Sequence, residues 1–409
     1  MRVSSFQFIQ RNLNNISGRT FEANQQLAQM SSGKRVHYAS DDPVSANGIL
    51  NYKQELRTLD QYQNNIKLAE NRLRREESGL TTAENIAMQV KEIMLGANSG
   101  TITQHERDAY KAELQSRIDE MLDLANTQDE FGQYIFGGFQ TDSSPFTRQP
   151  DGSVVYSGDS GQREMAIGHR VKVGLNHDGE LVFGGVPNPR GDFTVRYNLA
   201  SSESGNSLRV ERAHIQDKAA FTDAHPYNLS FAENADGDLE LTITDKDGGE
   251  TGPLLYQPGS PVTVDGVEIT IKGQAAAGDE ITLSSAVRDG SGQDELGVFD
   301  ILNRAKAWLE TDGHNASGQG ELGDILSELD AMAGHFTRVR ADTGNRMQRL
   351  DNQMEFHAEM TLTLEKLRGG MEDLDYAKAT GEFSQTMVAL QATQSMFGKV
   401  QSMSLFNYI

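Results

Sequence analysis

Each end of this 409-residue chain carries an apolar residue at every third or fourth position, and almost everything that breaks a helix lies between the two ends. Phe6, Ile9, Leu13, Ile16, Thr20, Ala23, Leu27 and Met30 follow a 3-4-3-4 spacing. Phe383, Met387, Leu390 and Phe397 keep a similar rhythm, with Met396, Val400 and Met403 widening the stripe. This spacing puts one apolar seam along a helix, the pattern of coiled-coil packing. From Phe383 to Ile409 the only charged side chain is Lys399, whereas a helix facing water carries many more. Both ends are therefore expected to be buried against other helices. The expected assembly interface is Phe6, Ile9, Leu13, Ile16, Leu27, Met30, Phe383, Met387, Leu390, Phe397, Val400 and Met403.

Of nine prolines, only Pro43 falls outside 145–261, and 24 of the 40 glycines fall within 131–300. Helix interiors exclude Pro and tolerate Gly poorly, so helices are expected before about 130 and after 295, with mostly β structure between. The fold class is α+β and multidomain: a long α-helical coiled-coil rod formed by both termini, with a mainly β central insertion. The first helix should stop near Ser31-Ser32-Gly33, and Asp41 or Asp42 should cap the next, with Pro43 in its first turn. Tyr52, Leu59, Ile66, Leu73, Leu80, Ala87 and Met94 recur every seventh residue, and Tyr62, Ala69, Ala83 and Val90 fill the companion seam. A helix from there to Asn98 would be roughly 85 Å long. A further helix is expected over about 104–130.

In the middle, Leu239, Leu241 and Ile243 alternate with polar residues, Val154–Tyr156 forms a short strand, and Val262–Ile271 reads as a hairpin turning at Asp265-Gly266. A Gly/Pro-rich joint at Gly184–Pro189 separates two β regions.

Charge is uneven. Residues 141–300 hold 12 basic and 26 acidic side chains, a net of −14 out of −22 for the chain. An acidic middle argues against nucleic acid, which needs clustered Lys and Arg. Cysteine is absent, so no disulfide or thiolate metal site can form. No run of 18 apolar residues offers a membrane span, and the first residues lack the apolar core of a cleaved secretory signal.

The chemistry-bearing patterns are also missing. There is no HExxH, no GxxxxGK[ST] and no GxSxG, so catalysis and cofactors are not expected. Asn234, Asp236 and Asp238 around Gly237 offer oxygen ligands for calcium but lack a full twelve-residue loop; a solvated turn is the expectation there and at Asp245–Gly249. Tyr134-Ile135-Phe136-Gly137-Gly138-Phe139 is expected to seat the β region on the helices, with carbohydrate stacking as its rival.

Met30-Ser31-Ser32-Gly33-Lys34-Arg35-Val36 followed by Asp41-Asp42-Pro43 resembles the N-terminal signature of bacterial flagellins and their relatives. Tyr134–Asp142 with Pro145-Phe146 looks like the helix-to-sheet junction of the flagellin-like hook-associated proteins. Asp373–Ala377, Leu390–Ala392 and Ser404–Asn407 look like the C-terminal helix of that family. The resemblance covers roughly 1–185 and 296–409 and weakens between. The Ser402–Ile409 ending departs from the short Leu-rich end of flagellins.

The resemblance implies a structural axial protein of the bacterial flagellum, not an enzyme, acting as an adaptor between hook and filament. Filament-forming flagellin and a secreted adhesin are the alternatives. Residues 1–33 and 371–409 would form a terminal coiled-coil assembly domain lining an axial channel. Residues 34–185 and 296–370 would form a helical rod with β elements, and 186–295 an outer β-rich domain. It further implies a homo-oligomeric ring at the hook–filament junction, with the hook-side junction protein on one side and flagellin or the filament cap on the other. Export would run through the flagellar type III system without a cleaved signal. A cytoplasmic export chaperone would cover the C-terminal helix. Isolated amphipathic helices are marginal in water, so the termini are expected to be mobile before assembly.

Overall fold

The computed structural model describes residues 2–99, 102–200, 208–221, 225–285, 295–311 and 316–402. Its helices are α1 (Arg2–Ser32), α2 (Pro43–Ala97), α3 (Gln104–Ala125), α4 (Val298–Glu310), α5 (Ala316–Glu372) and α6 (Tyr376–Ser402). Contacts divide the chain into two compact units, 1–66 with 351–409, and 67–350.

The first unit is built from α1, α6 and the adjoining ends of α2 and α5. Gly33 stops α1 by taking φ 70°, a left-handed conformation that favours glycine. Between the two candidate caps of α2 the structure chooses Asp42, whose Oδ1 accepts from the Ser45 backbone N–H at 3.0 Å. Asp41 instead accepts from the N–H groups of His37 and Tyr38, closing the loop before it. The seven-residue seam of α2 is realised along its length. Leu59, Ile66, Leu73, Leu80, Ala87 and Met94 are buried, and Tyr52 is half-buried.

In the second unit, α3 opens on a capping box, with Thr103 and Glu106 satisfying one another's backbone N–H groups. It stops at Ala125, short of the expected 130. Asn126 leaves the helix to donate to the Phe146 carbonyl (2.9 Å) and accept from the Phe146 N–H (3.0 Å), a partner distant in sequence.

Two hairpins follow, β1 (Phe146–Arg148) with β2 (Val154–Tyr156) and β3 (Glu164–Ala166) with β4 (Lys172–Gly174). A π-helical turn, Glu180–Gly184, leads into the Gly/Pro joint, within which Val186–Pro187 form β5 and later pair with β14 (Glu295–Leu296).

The helical core gathers around Phe183. Its ring lies 5.1–6.1 Å from those of Phe136, Phe146, Phe299 and Phe336, so that with Phe183 itself five separate segments meet there. Trp308 is buried beside them and donates its indole N–H to Gly318 O at 2.6 Å. The Tyr134–Phe139 cluster seats itself in this core through Ile135 and Phe136. Phe139 does not join them and stays 63% exposed. Gly138 (φ 71°) lets the chain pass the Asp159 backbone; a Cβ there would lie 2.2 Å from the Asp159 carbonyl oxygen.

The β module has its own core. β6 (Phe193–Asn198), β7 (Arg209–Ile215), β8 (Tyr227–Glu233), β9 (Leu239–Thr244), β10 (Glu250–Leu255), β11 (Pro261–Val264), β12 (Val267–Lys272) and β13 (Glu280–Ser285) form two antiparallel sheets. Their orders are β10-β9-β8-β13-β6 and β11-β12-β7. Alternation sets the inward face: Tyr227, Leu229 and Phe231 of β8, and Leu241 and Ile243 of β9, are buried with Val267, Ile269 and Ile271 of β12. The β11–β12 hairpin turns at Asp265 (φ 48°) and Gly266 (φ 75°), both positive as a type I′ turn requires. Asn234 accepts from the N–H groups of Asp236 and Asp238 to close the β8–β9 turn, and Asp245 holds Asp247 and Gly249 in the same way.

Candidate assembly interface

Two elbows lie in the first unit, α1 to α2 and α5 to α6, and they are clasped together. The Arg35 N–H donates to Glu372 O (2.7 Å) and the Leu374 N–H to Gly33 O (2.9 Å). Arg35 Nη2 reaches Met371 O at 2.9 Å, and Tyr376 donates its hydroxyl to Met30 O at 2.9 Å. The hub is Glu372, whose side chain is 8% exposed. Its Oε1 accepts from Lys34 Nζ (2.8 Å) and Lys53 Nζ (2.9 Å), and Arg368 lies 3.6 Å from Oε2. Burial opposes the charge on Glu372, but the two lysine ammonium groups overcome it and hold the carboxyl below its ordinary range. Asp42 is pulled down to about 2, first by the Ser45 hydroxyl and then by the Ser45 N–H.

A depressed carboxyl stabilises the fold above its unfolded pKa, near 4.5, and that contribution is lost as pH falls through the folded value. Glu372→Gln is expected to weaken the clasp by about 1–2 kcal/mol, a small figure because both lysines are partly exposed. Hydrogen exchange at the Arg35 and Leu374 amides should rise in the variant. The acid-induced loosening of those amides expected of the parent should shrink in the variant.

The clasp makes α1 and α6 antiparallel neighbours, since the start of α6 touches the end of α1. Each helix turns a heptad seam inward. On α6 this is Ala379, Phe383, Thr386, Leu390, Thr393 and Phe397, buried or half-buried at alternating steps of four and three. On α1, Ala23 is buried and Ile16 and Met30 are half-buried.

The expected interface residues therefore separate into two groups. Ile16, Met30, Phe383, Leu390 and Phe397 lie on the inward seams. Leu13 (45% exposed), Leu27 (55%) and Met387 (38%) face outward, joined by Phe21, Val388 and Met396. Phe6 and Ile9 fall within α1 and Val400 within α6, while Met403 lies outside the described residues. Reading the sequence alone missed Glu372, Lys53 and Tyr376 as a connected group. The signal for two of them was position, Glu372 adjoining the Asp373–Ala377 segment and Tyr376 lying within it, whereas Lys53, ten residues into α2, carried none.

Among the described residues no His, Asp and Glu group can hold a metal ion, and no helix is long and apolar enough to cross a membrane. Residues 3–141 match the bacterial flagellin N-terminal helical region, and residues 326–409 match the bacterial flagellin C-terminal helical region. Flagellar hook-associated protein 3 of Salmonella typhimurium is 31% identical over 229 residues, which span 52% of this chain and 71% of that protein.

The chain belongs to the flagellar hook-associated protein 3 family.

Solved structures agree. A hook-associated protein 3 from Legionella pneumophila superposes with TM-score 0.65 at 28% identity, covering 78% of this chain and 99% of that one. The structure described as the flagellar junction protein from Legionella pneumophila gives 0.63 at 27%, covering 81% and 100%. The hook-associated protein 3 fold thus reaches well beyond the two terminal regions and into the β module.

Proposed function

We propose that this chain is a structural adaptor of the bacterial flagellum, joining hook to filament and giving flagellin a foundation on which to assemble. The observation that carries this reading is the kinship with hook-associated protein 3, joined to an outward apolar face on both terminal helices. Each Leu- or Phe-sized side chain that such a face buries contributes about 1.5–3 kcal/mol, so a few per helix suffice to hold a subunit among its neighbours. Copies of the chain form a ring. Leu13, Leu27 and Met387 pack between subunits, with Phe6, Ile9, Val400 and Met403 extending that contact.

The division of labour we propose is a terminal assembly domain (1–33 and 371–409), a rod (34–185 and 296–370) and an outer β domain (186–295). The hook-side junction protein is one neighbour, and flagellin or the filament cap the other. Export follows the flagellar type III route without a cleaved signal, and a cytoplasmic chaperone shields the apolar C-terminal helix until then. No catalytic step belongs to this role.

Deleting the gene tests the reading. Bare hooks, with unassembled flagellin shed into the medium, are the expected result. Filaments that persist would overturn it in favour of a display or adhesion role. Bare hooks with no flagellin in the medium would mean that this chain is itself the flagellin.

A further inference from the structure

The β module and the helices beside it keep separate apolar cores, and polar contacts join them alongside one aromatic ring. Leu199 donates its N–H to Ser317 Oγ at 2.8 Å. The Tyr197 ring rests on the α5 backbone at Gly320, where a Cβ would meet ring carbons at 3.3 Å. At the centre of the contact is Arg190. Its backbone belongs to the β module, with the Ala213 N–H donating to Arg190 O at 2.7 Å. Its side chain leaves that module and is buried against α5.

There, Arg190 Nη1 lies 3.2 Å from Asp324 Oδ1, and Nη2 donates to Glu328 Oε1. Arg304 of α4 donates to the same Glu328 oxygen at 2.6 Å. Asp324 and Glu328 stand four residues apart on one helix face, a spacing at which like charges repel. A cation between them resolves that conflict, and Arg190 supplies it from the β module. The fit is incomplete, because Arg190 Nε and Glu328 Oε2 are buried without a hydrogen-bond partner. Beside the root of the β module lies a cleft of about 850 Å³, lined by Asn188, Gly191 and Asp192 of the segment that enters the module and by His177, Arg338 and Asp342 of the helical body.

We propose that Arg190, seated between Asp324 and Glu328, is an ionic pivot that sets the tilt of the β module on the helices, with the cleft giving it room to rock. Buried ion pairs add little net stability, because desolvation offsets their attraction, yet their directional geometry selects one arrangement among several. An apolar seam of equal area would hold the module more firmly and less selectively. The arrangement also responds to pH. Burial pushes the Asp324 carboxyl up; Arg190 draws it down, Glu328 raises it, and Arg304 and Tyr197 draw it down again. The balance leaves it at about 6. A carboxyl raised in the seated form favours that form when protonated, so the seat tightens as pH falls through about 6 and slackens as pH rises through it.

The natural chain has no cysteine, so two can be introduced as label sites, Glu113→Cys on α3 and Asp247→Cys beyond β9. Spin-label distances would be measured on the full chain at pH 8 and pH 5. The labelled parent should give one distance peak, narrower at pH 5. Arg190→Gln should at least double its width at pH 8 while amide protection in β8 stays unchanged. Asp324→Asn should give the narrow peak at both pH values. A parental distribution in Arg190→Gln would overturn the pivot, and so would loss of β8 protection, which would make Arg190 a folding residue of the module. A pH response that survives Asp324→Asn would remove Asp324 from the device.

Discussion

A Phe183→Ala chain is expected to lose about 3–5 kcal/mol of stability in its 67–350 unit, the largest single effect foreseen here. Phe183 is 2% exposed and contacts four other aromatic rings, each from a different segment of chain. Removing it leaves a cavity that rigid rings cannot collapse to fill, so the transfer and cavity costs add. Thermal unfolding followed by near-ultraviolet circular dichroism should show a lower midpoint and weaker aromatic signal. The first unit contributes none of these rings, so exchange protection at its Arg35 and Leu374 amides should survive. A shift below about 1 kcal/mol would mean that the aromatic cluster is looser than its ring spacings suggest.

The second large effect is on assembly rather than folding. Leu27→Asp combined with Met387→Asp places a carboxylate on the outward face of each terminal helix, where both side chains already meet water. Monomer stability should change by no more than about 0.5 kcal/mol. Burying those charges between subunits would cost several kcal/mol at every contact, repeated around the ring. Cells carrying the double variant should secrete the protein yet grow no filaments and fail to swim. Normal swimming would show that this face is not an interface. Ala23→Asp, on the inward seam, should instead disturb the α1–α6 pair within the monomer.

Much of the helical framework was legible because its signals are local. The heptad of α2 needs only its own residues, and Asp42-Pro43, Gly33 and Asp265-Gly266 act through backbone geometry that each carries with it. The legible part ends where a residue depends on a distant partner. Asn126 ends α3 early because Phe146 offers it two hydrogen bonds, and no propensity near 126 reveals that. Phe139 shares a motif with Phe136 but faces the other way, a choice made by the turn at Gly137-Gly138. The terminal stripes were visible as apolar. Which members face the partner helix and which face outward follows from how α1 and α6 lie against each other, and a single helix does not encode that. Glu372 and Arg190 were hidden for the same reason: each is one charge among many until three chain segments converge on it.

The clasp at Glu372 also orders events in time. Lys34 and Glu372 are 338 residues apart, so the contact closes nearly the whole chain into a loop. Loop-closure entropy grows only logarithmically with length, and the added cost at equilibrium is modest. Kinetically the distance matters more, because contacts between remote residues form late. A chain emerging from its N-terminal end has α1, α2 and both lysines in place long before their carboxylate arrives. The elbow is therefore among the last parts to set, and until then the two ends of the molecule move independently of each other.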